Sequence, residues 1–288
     1  MNLFFQQILN GLTLGSVYGL VALGLTLVYG ILHVPNFSHG ALYMVGAYAA
    51  WVLMTALGAN YWVAMVGAGV VVAIVAVLCE RLVFNPLRNA PPIHDKIAAI
   101  GILLFLEAGV MAIWGADFQR LSGPLPGVML EVGGLMMSGQ RLLIVGGAIT
   151  LMIVLHLFLK RTTTGSAIVA MAQDREGAFL VGIDANKVSM VTFAISGFLA
   201  AVAAVLFAPI NLVSPGMGHL VIMKAFVIIV LGGMGSIPGA IVGGMIIGFA
   251  ESFGAFYIST NYKDIIAFIL LVVILSLRPQ GLFTKGVR

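Results

Sequence analysis

The sequence predicts an all-α fold, a polytopic membrane helical bundle, and three observations carry that reading. The chain of 288 residues is 61% hydrophobic and only 8% charged, and its mean hydropathy is +1.13. Its apolar stretches repeatedly approach the roughly 20 residues that cross a bilayer's hydrocarbon core at about 1.5 Å per helical residue. Those stretches are apolar on every side, whereas a membrane strand would alternate, so the backbone hydrogen bonds must close inside helices. The whole chain, 1–288, reads as a single transmembrane domain.

The opening MNLFFQQILN carries no Lys or Arg ahead of its apolar stretch, which outruns a signal peptide and so reads as a retained first span. Hydropathy places spans at 8–32, 41–57, 62–79, 97–114, 142–159 and 188–210, then at 220–231, 237–256 and 265–277. The first and last of the final three are short enough to be tilted, distorted or re-entrant, which gives eight or nine crossings. Cys79 is the single cysteine and lies in an apolar run, which excludes an intrachain disulfide and a Cys-cluster metal site.

Charge discriminates between the counts, because Lys and Arg stay on the cytoplasmic side of short loops. With the amino terminus outside and nine crossings, Arg81, Arg88, Lys96, Lys160, Arg161, Arg175, Lys187, Arg278, Lys285 and Arg288 are cytoplasmic. Only Arg120, Arg141, Lys224 and Lys263 then lie outside. Eight crossings move the carboxyl terminus outside and weaken the bias, so nine is preferred, with a periplasmic amino terminus and a cytoplasmic carboxyl terminus. Under either count 160–187 is cytoplasmic. The net charge of +4 is thus a topology signal and implies no nucleic-acid partner.

Two helix breaks, VPNFSHG at 34–40 and VSPGMGH at 213–219, occupy corresponding places if spans one to four repeat as spans six to nine. The units begin an odd number of crossings apart, so the second copy is inverted, an architecture that puts substrate groups at interrupted helices. Pro/Gly turns between any two helices also look alike, which is the alternative. Asn36, Ser38, His39, Ser214 and His219 are candidates for the translocation path, since a broken helix frees groups that bind a zwitterion; ordinary capping explains them as well. Glu107 lies in the middle of 97–114. A carboxylate there costs about 2.5–3.5 kcal/mol on insertion scales, so it faces the bundle interior or water, either lining the path or packing helices. Glu251 and Lys224 read as close enough to the interfaces to snorkel, which favours a buried or paired helix-packing role over the path, and His156 reads as an interface histidine. GGMGSIPGAIVGGMIIG at 232–248 offers small residues for close helix packing, with a tight turn at 232–239 and Pro238 at the start of the next helix.

The polar island KRTTTGSAIVAMAQDREGAFLVGIDANK at 160–187 carries a basic majority. Within it, 165–173 reads as a short helix with Ile168, Met171 and Ala172 on one side. Asp174 N-caps a second helix over 175–181 and Gly182 ends it. Met171, Phe179 and Leu180 are then available to fill a hydrophobic groove on a partner, unless the loop packs on its own helices. None of the six lysines stands in a G-x-x-x-x-G-K-[ST] setting, and no H-E-x-x-H spacing or nucleophile trio is present. The chain reads as no enzyme, without metal or cofactor, driven by another chain or by an ion gradient.

Four stretches carry a family resemblance. They are T-x-x-G-x-A-x-x-A-x-A-x-D-x-x-x-A-x-L-x-G-I at 162–183, TFAISGFLAAVAAVL at 192–206, KAFVIIVLGGMGSIPGAIVGG at 224–244 and RPQGLF at 278–283. In this order they resemble the permease subunits of bacterial ABC importers for branched-chain amino acids, the LivH/LivM family. The opening GLVALGLTLVYGILHVPNFSHGALYMVGAY at 19–48 is similar to the LivH-type member.

The resemblance implies a subunit of the bacterial inner membrane that moves branched-chain or other hydrophobic amino acids by alternating access. Its implied partners are a second permease subunit in a heterodimer, two cytoplasmic ABC ATPases that use the ATP, a periplasmic substrate-binding protein and the surrounding membrane lipid. It further implies that Gly165, Ala167, Ala170, Ala172, Asp174, Ala178, Gly182 and Ile183 lie at the ATPase contact. Family members carry arginines in a G-R-A-x-R-A pattern where this chain has Ser166 and Val169. The competing function is an ion-coupled secondary transporter or channel that uses Glu107 or a histidine.

Overall fold

The computed structural model describes residues 2–32, 36–88, 90–125, 127–132, 135–278 and 280–283. Val34 and Pro35 of the first break, Pro279 of the terminal motif, and Lys285 and Arg288 lie outside them. The helices are α1 (Asn2–Leu32), α2 (Ser38–Thr55) and α3 (Tyr61–Cys79), which runs through a π-helical turn (Glu80–Phe84) into α4 (Asn85–Leu87). After α5 (Pro92–Trp114) come a hairpin of β1 (Met129–Val132) and β2 (Leu135–Ser138), then α6 (Gly139–Arg161), α7 (Thr163–Gln173) and α8 (Arg175–Leu180). The chain continues as α9 (Ala185–Phe207), α10 (Met217–Gly232), α11 (Ile237–Tyr257) and α12 (Lys263–Leu277).

Every expected span falls on a helix. Among the described residues six helices, α1, α3 with its extension, α5, α6, α9 and α11, are long and apolar enough to cross a membrane, while α10 and α12 are shorter apolar helices. The protein is therefore a polytopic helical bundle.

Burial sorts the helices into an axis and a perimeter. The most apolar part of α1 is 89% buried, that of α5 only 17%. Helix α1 is thus surrounded by protein, packing on α11, α9, α10 and α6. On α5, Leu104, Phe105 and Ile113 point outward from the bundle. Lipid tails are as apolar as Leu, so helix association rests on close packing, and the α1–α11 seam is built for it. A Cβ added at Gly248 would sit 2.3 Å from the Gly15 nitrogen, which means that the two backbones touch.

Polar side chains draw α3 and α6 onto α9. The last carbonyls of a helix have no partner within it. Tyr61 Oη donates to the Val205 carbonyl at 3.0 Å and Gln140 Nε2 donates to that of Leu206 at 3.0 Å. At the opposite end Arg88, beyond the π turn, donates to Asn186 Oδ1 at 2.5 Å and Ser189 Oγ at 2.9 Å, and lies 3.4 Å from Glu80. The start of α9 is thereby tied to the end of α3.

The β1–β2 hairpin is antiparallel, pairing Met129 with Ser138 and Leu130 with Met137, and it stands at the end of the bundle away from 160–187. Gln119 and Val213 exchange two backbone hydrogen bonds of 2.8 and 3.0 Å, which tether the segment after α5 to the second helix break.

Candidate functional site

The two breaks meet in the bundle. A Cβ on Gly40 would stand 2.5 Å from the Gly218 carbonyl oxygen, and one on Gly218 would stand 2.4 Å from that of Gly40. Phe37 packs on Phe226, ring centroids 4.7 Å apart, while Met44 reaches the level of Pro215 and His219. Helices α2 and α10 therefore run antiparallel through their first turns.

Beside this contact His219 Nε2 stands 2.7 Å from Glu107 Oε2, bringing together two of the residues singled out in the sequence. Leu103, Met44 and Pro215 flank the pair. The other break residues are held internally. Asn36 Oδ1 accepts from the Ser38 amide at 3.1 Å and its hydroxyl at 2.6 Å. His39 is fully buried, with Nε2 3.0 Å from the Val21 carbonyl and Nδ1 3.2 Å from Ser196 Oγ. A carbonyl can only accept, so Nε2 carries the hydrogen. Ser214 is half-buried, on the other side of α10.

That side of α10 corrects the interfacial placement of Lys224 and Glu251, which pair with each other inside the bundle. Glu251 is 2% exposed and Lys224 8%. Lys224 Nζ donates to Tyr18 Oη and Glu251 Oε2, both at 2.9 Å, and stands 2.8 Å from Asp264 Oδ1; Tyr18 Oη donates to Glu251 Oε2 at 2.8 Å. One cluster thus joins α1, α10, α11 and α12. The reason is spatial: Lys224 faces a charged partner inside the bundle before its stem reaches any surface, and a buried charge without one would be far more costly. The cluster lines a cavity of about 590 Å³, on whose wall Arg141 and Ser214 also stand.

The 160–187 segment folds as its capping signals direct. Thr162 Oγ1 caps α7 by accepting from the Gly165 amide at 2.9 Å, and Asp174 Oδ1 caps α8 by accepting from that of Gly177 at 3.0 Å. Gly182 has φ +83°, where a side chain would be strained, and its amide reaches the Phe179 carbonyl at 3.0 Å. Asp184 Oδ1 caps α9, accepting from the amides of Asn186 at 3.0 Å and Lys187 at 3.2 Å. The Lys187 amide, helped by that of Asn186 and the Lys187 charge, holds this carboxyl below its ordinary value.

Of the three side chains offered to a partner groove, Met171 is buried in the protein's own core together with Ile168. The amphipathic period of α7 explains this, since those two residues share the inward face. Phe179 and Leu180 are 73% and 84% exposed, and Val181 adjoins them at 77%. Gly165 and Ala178 are buried, Ala167, Ala170, Ala172 and Ile183 half-buried, and Asp174 and Gly182 exposed. Ser166 and Val169 line a cavity of about 510 Å³ with His156, Lys160 and Pro238.

A multi-pass bundle with broken helices meeting inside it, charged groups held among the spans and a capped helical loop at one end has the architecture of a membrane permease. The chain belongs to the family described as branched-chain amino acid transport system / permease component, whose model matches residues 7–275. It is 39% identical to the high-affinity branched-chain amino acid transport system permease protein BraD of Pseudomonas aeruginosa, across 98% of this chain and 96% of that protein. It is 37% identical to LivH of Escherichia coli K12 with the same coverage, and 32% identical to the probable LivH of Methanocaldococcus jannaschii, across 96% of this chain and 92% of that protein. Among solved structures, a chain of PsaBC from Streptococcus pneumoniae in complex with Fab aligns with a TM-score of 0.53 at 13% identity, across 94% of this chain and 91% of that one. At that identity the likeness concerns the fold alone.

Proposed function

We propose that the chain is a permease subunit of an ATP-driven importer that carries branched-chain and similar hydrophobic amino acids across the bacterial inner membrane. The observation that carries this reading is the family membership over nearly the whole chain. Phe179, Leu180 and Val181, three apolar side chains left bare on a capped loop, support a protein contact there, because apolar groups exposed side by side mark interaction surfaces. The groove belongs to a cytoplasmic ATPase, and a second permease, a further ATPase and a periplasmic binding protein complete the assembly.

In this account the chain crosses nine times as an inverted repeat, with the amino terminus periplasmic and the carboxyl terminus cytoplasmic. The antiparallel meeting of α2 and α10 through Gly40 and Gly218 supports the repeat, since these are the corresponding broken helices of its two halves. The path passes the breaks, where Glu107 and His219 pair, Asn36 and Ser38 close the turn before α2, His39 anchors α2 on α1 and Ser214 lines the neighbouring cavity. Closure of the ATPases pushes α7 and α8, and the helices tied to them alternate access.

The Glu107–His219 pair also favours a second reading, ion-coupled transport by this chain alone. Leucine uptake into proteoliposomes separates the two. The purified chain moves none, and addition of both ATPases, the second permease and the binding protein gives ATP-dependent uptake. Gradient-driven uptake by the chain alone would establish the second reading instead.

A further inference from the structure

We infer that the cavity of about 590 Å³ beside Lys224 is a binding site for the zwitterionic head of an amino acid, with Glu251 and Asp264 facing the ammonium and Arg141 facing the carboxylate. This rests on the importer reading and adds to it a place where the cargo is recognised within the subunit.

Position comes first. The cavity lies among the end of α9, the start of α10, the end of α11 and the starts of α6 and α12, together with the first half of α1. These ends are opposite the loop at 160–187, so the cavity opens on the face that a periplasmic binding protein meets. Its volume falls in the range of about 300–1,000 Å³ usual for small-molecule sites. Phe207, Leu220 and Val221 give it an apolar wall for an aliphatic side chain.

Charge comes second. Within the cluster one lysine faces two carboxylates. Glu251 Oε1 and Asp264 Oδ1 share the one ammonium, with Nζ 2.9 and 2.8 Å away, and the Asp264 side chain is 39% exposed. A helix-packing ion pair has no use for the additional carboxylate, and one ammonium leaves two carboxylates with a negative charge in excess. A second cation meets that deficit. Arg141 balances the count from another wall, where its guanidinium uses one donor on Asn10 Oδ1 and keeps others for a carboxylate. The four charged side chains sum to zero, the charge of the ligand proposed.

The test uses the assembled importer without its binding protein. It measures displacement of tritiated leucine by unlabelled leucine, by leucinamide, which lacks the carboxylate, and by 4-methylpentanoate, which lacks the ammonium. Wild type discriminates against each analogue by about tenfold or more, which corresponds to about 1.4 kcal/mol. Asp264→Asn loses discrimination against 4-methylpentanoate alone, and Arg141→Gln against leucinamide alone, a crossed pattern that a purely structural role does not produce. If a charge variant does not assemble, Leu220→Trp, which fills the cavity, decides by weakening all three ligands together. Equal binding of the three ligands to wild type, unaltered discrimination in both charge variants, or unweakened binding in Leu220→Trp overturns the inference. ATP-driven leucine uptake by the complete wild-type system is measured in parallel, and its absence refutes the importer reading whatever the binding data.

Discussion

His219 Nε2 and Glu107 Oε2 stand 2.7 Å apart, joining the middle of α5 to the second helix break. Their side chains are 45% and 24% exposed, and Glu107→Gln keeps an oxygen that can accept from His219 Nε2 without the cost of a carboxylate in a span. Glu107→Gln is therefore expected to leave the denaturation midpoint of the purified complex nearly unchanged while lowering the rate of leucine uptake. Wild-type uptake in this variant would remove Glu107 from the path.

Lys224 presents the opposite case. With Glu251 2% exposed, Lys224→Met leaves a buried carboxylate uncompensated, which costs about 3–5 kcal/mol. Lys224→Met combined with Glu251→Leu recovers much of that loss, because the orphaned charge is gone. Thermal denaturation of both variants in detergent checks the prediction, and simple additivity of the two substitutions would contradict it.

Asp184 sets a pH dependence at the start of α9. Its folded value is depressed below the ordinary carboxylate value of about 3.9, so its capping stabilisation is complete above that pH and is lost as pH falls through the folded value. Amide exchange at Asn186 and Lys187 accordingly gains protection with rising pH, relative to the intrinsic rate, only in the acid range. Asp184→Asn keeps a capping oxygen and abolishes that dependence.

Phe179→Asp places a charge on a side chain that is 73% exposed, and Gly182→Pro forces a residue at φ +83° towards about −65°. Both are expected to insert in the membrane and to abolish stimulation of the partner ATPases by substrate-loaded binding protein. Undiminished stimulation in both would separate the loop from energy coupling.

Much of this architecture is legible in the sequence because lipid leaves the chain few choices. The hydropathy runs give every long helix, and Asp174, Gly182 and Pro238 mark local boundaries by chemistry that acts within one turn, whereas α7 starts at Thr163, ahead of the expected 165. The hairpin is missed although Gly133-Gly134 between two short apolar runs is a known turn signal. The Glu107–His219 contact and the Lys224 cluster are not legible as contacts. Tyr18 and Glu251 are separated by 233 residues, and nothing local in either segment reveals the other. Met171 shows the converse limit. Its helix is readable, but which face turns inward depends on α6 and α9, against which α7 packs.

In the proposed orientation α8 faces the cytoplasm and the cavity beside Lys224 opens to the periplasm. In a Cys79→Ser background, Leu180→Cys and Ile258→Cys each offer a single exposed thiol at opposite ends of the bundle. A membrane-impermeant maleimide is expected to label the first only in inverted vesicles and the second only in intact spheroplasts. Labelling of Leu180→Cys in intact spheroplasts would contradict the orientation and, with it, the proposed drive by cytoplasmic ATPases.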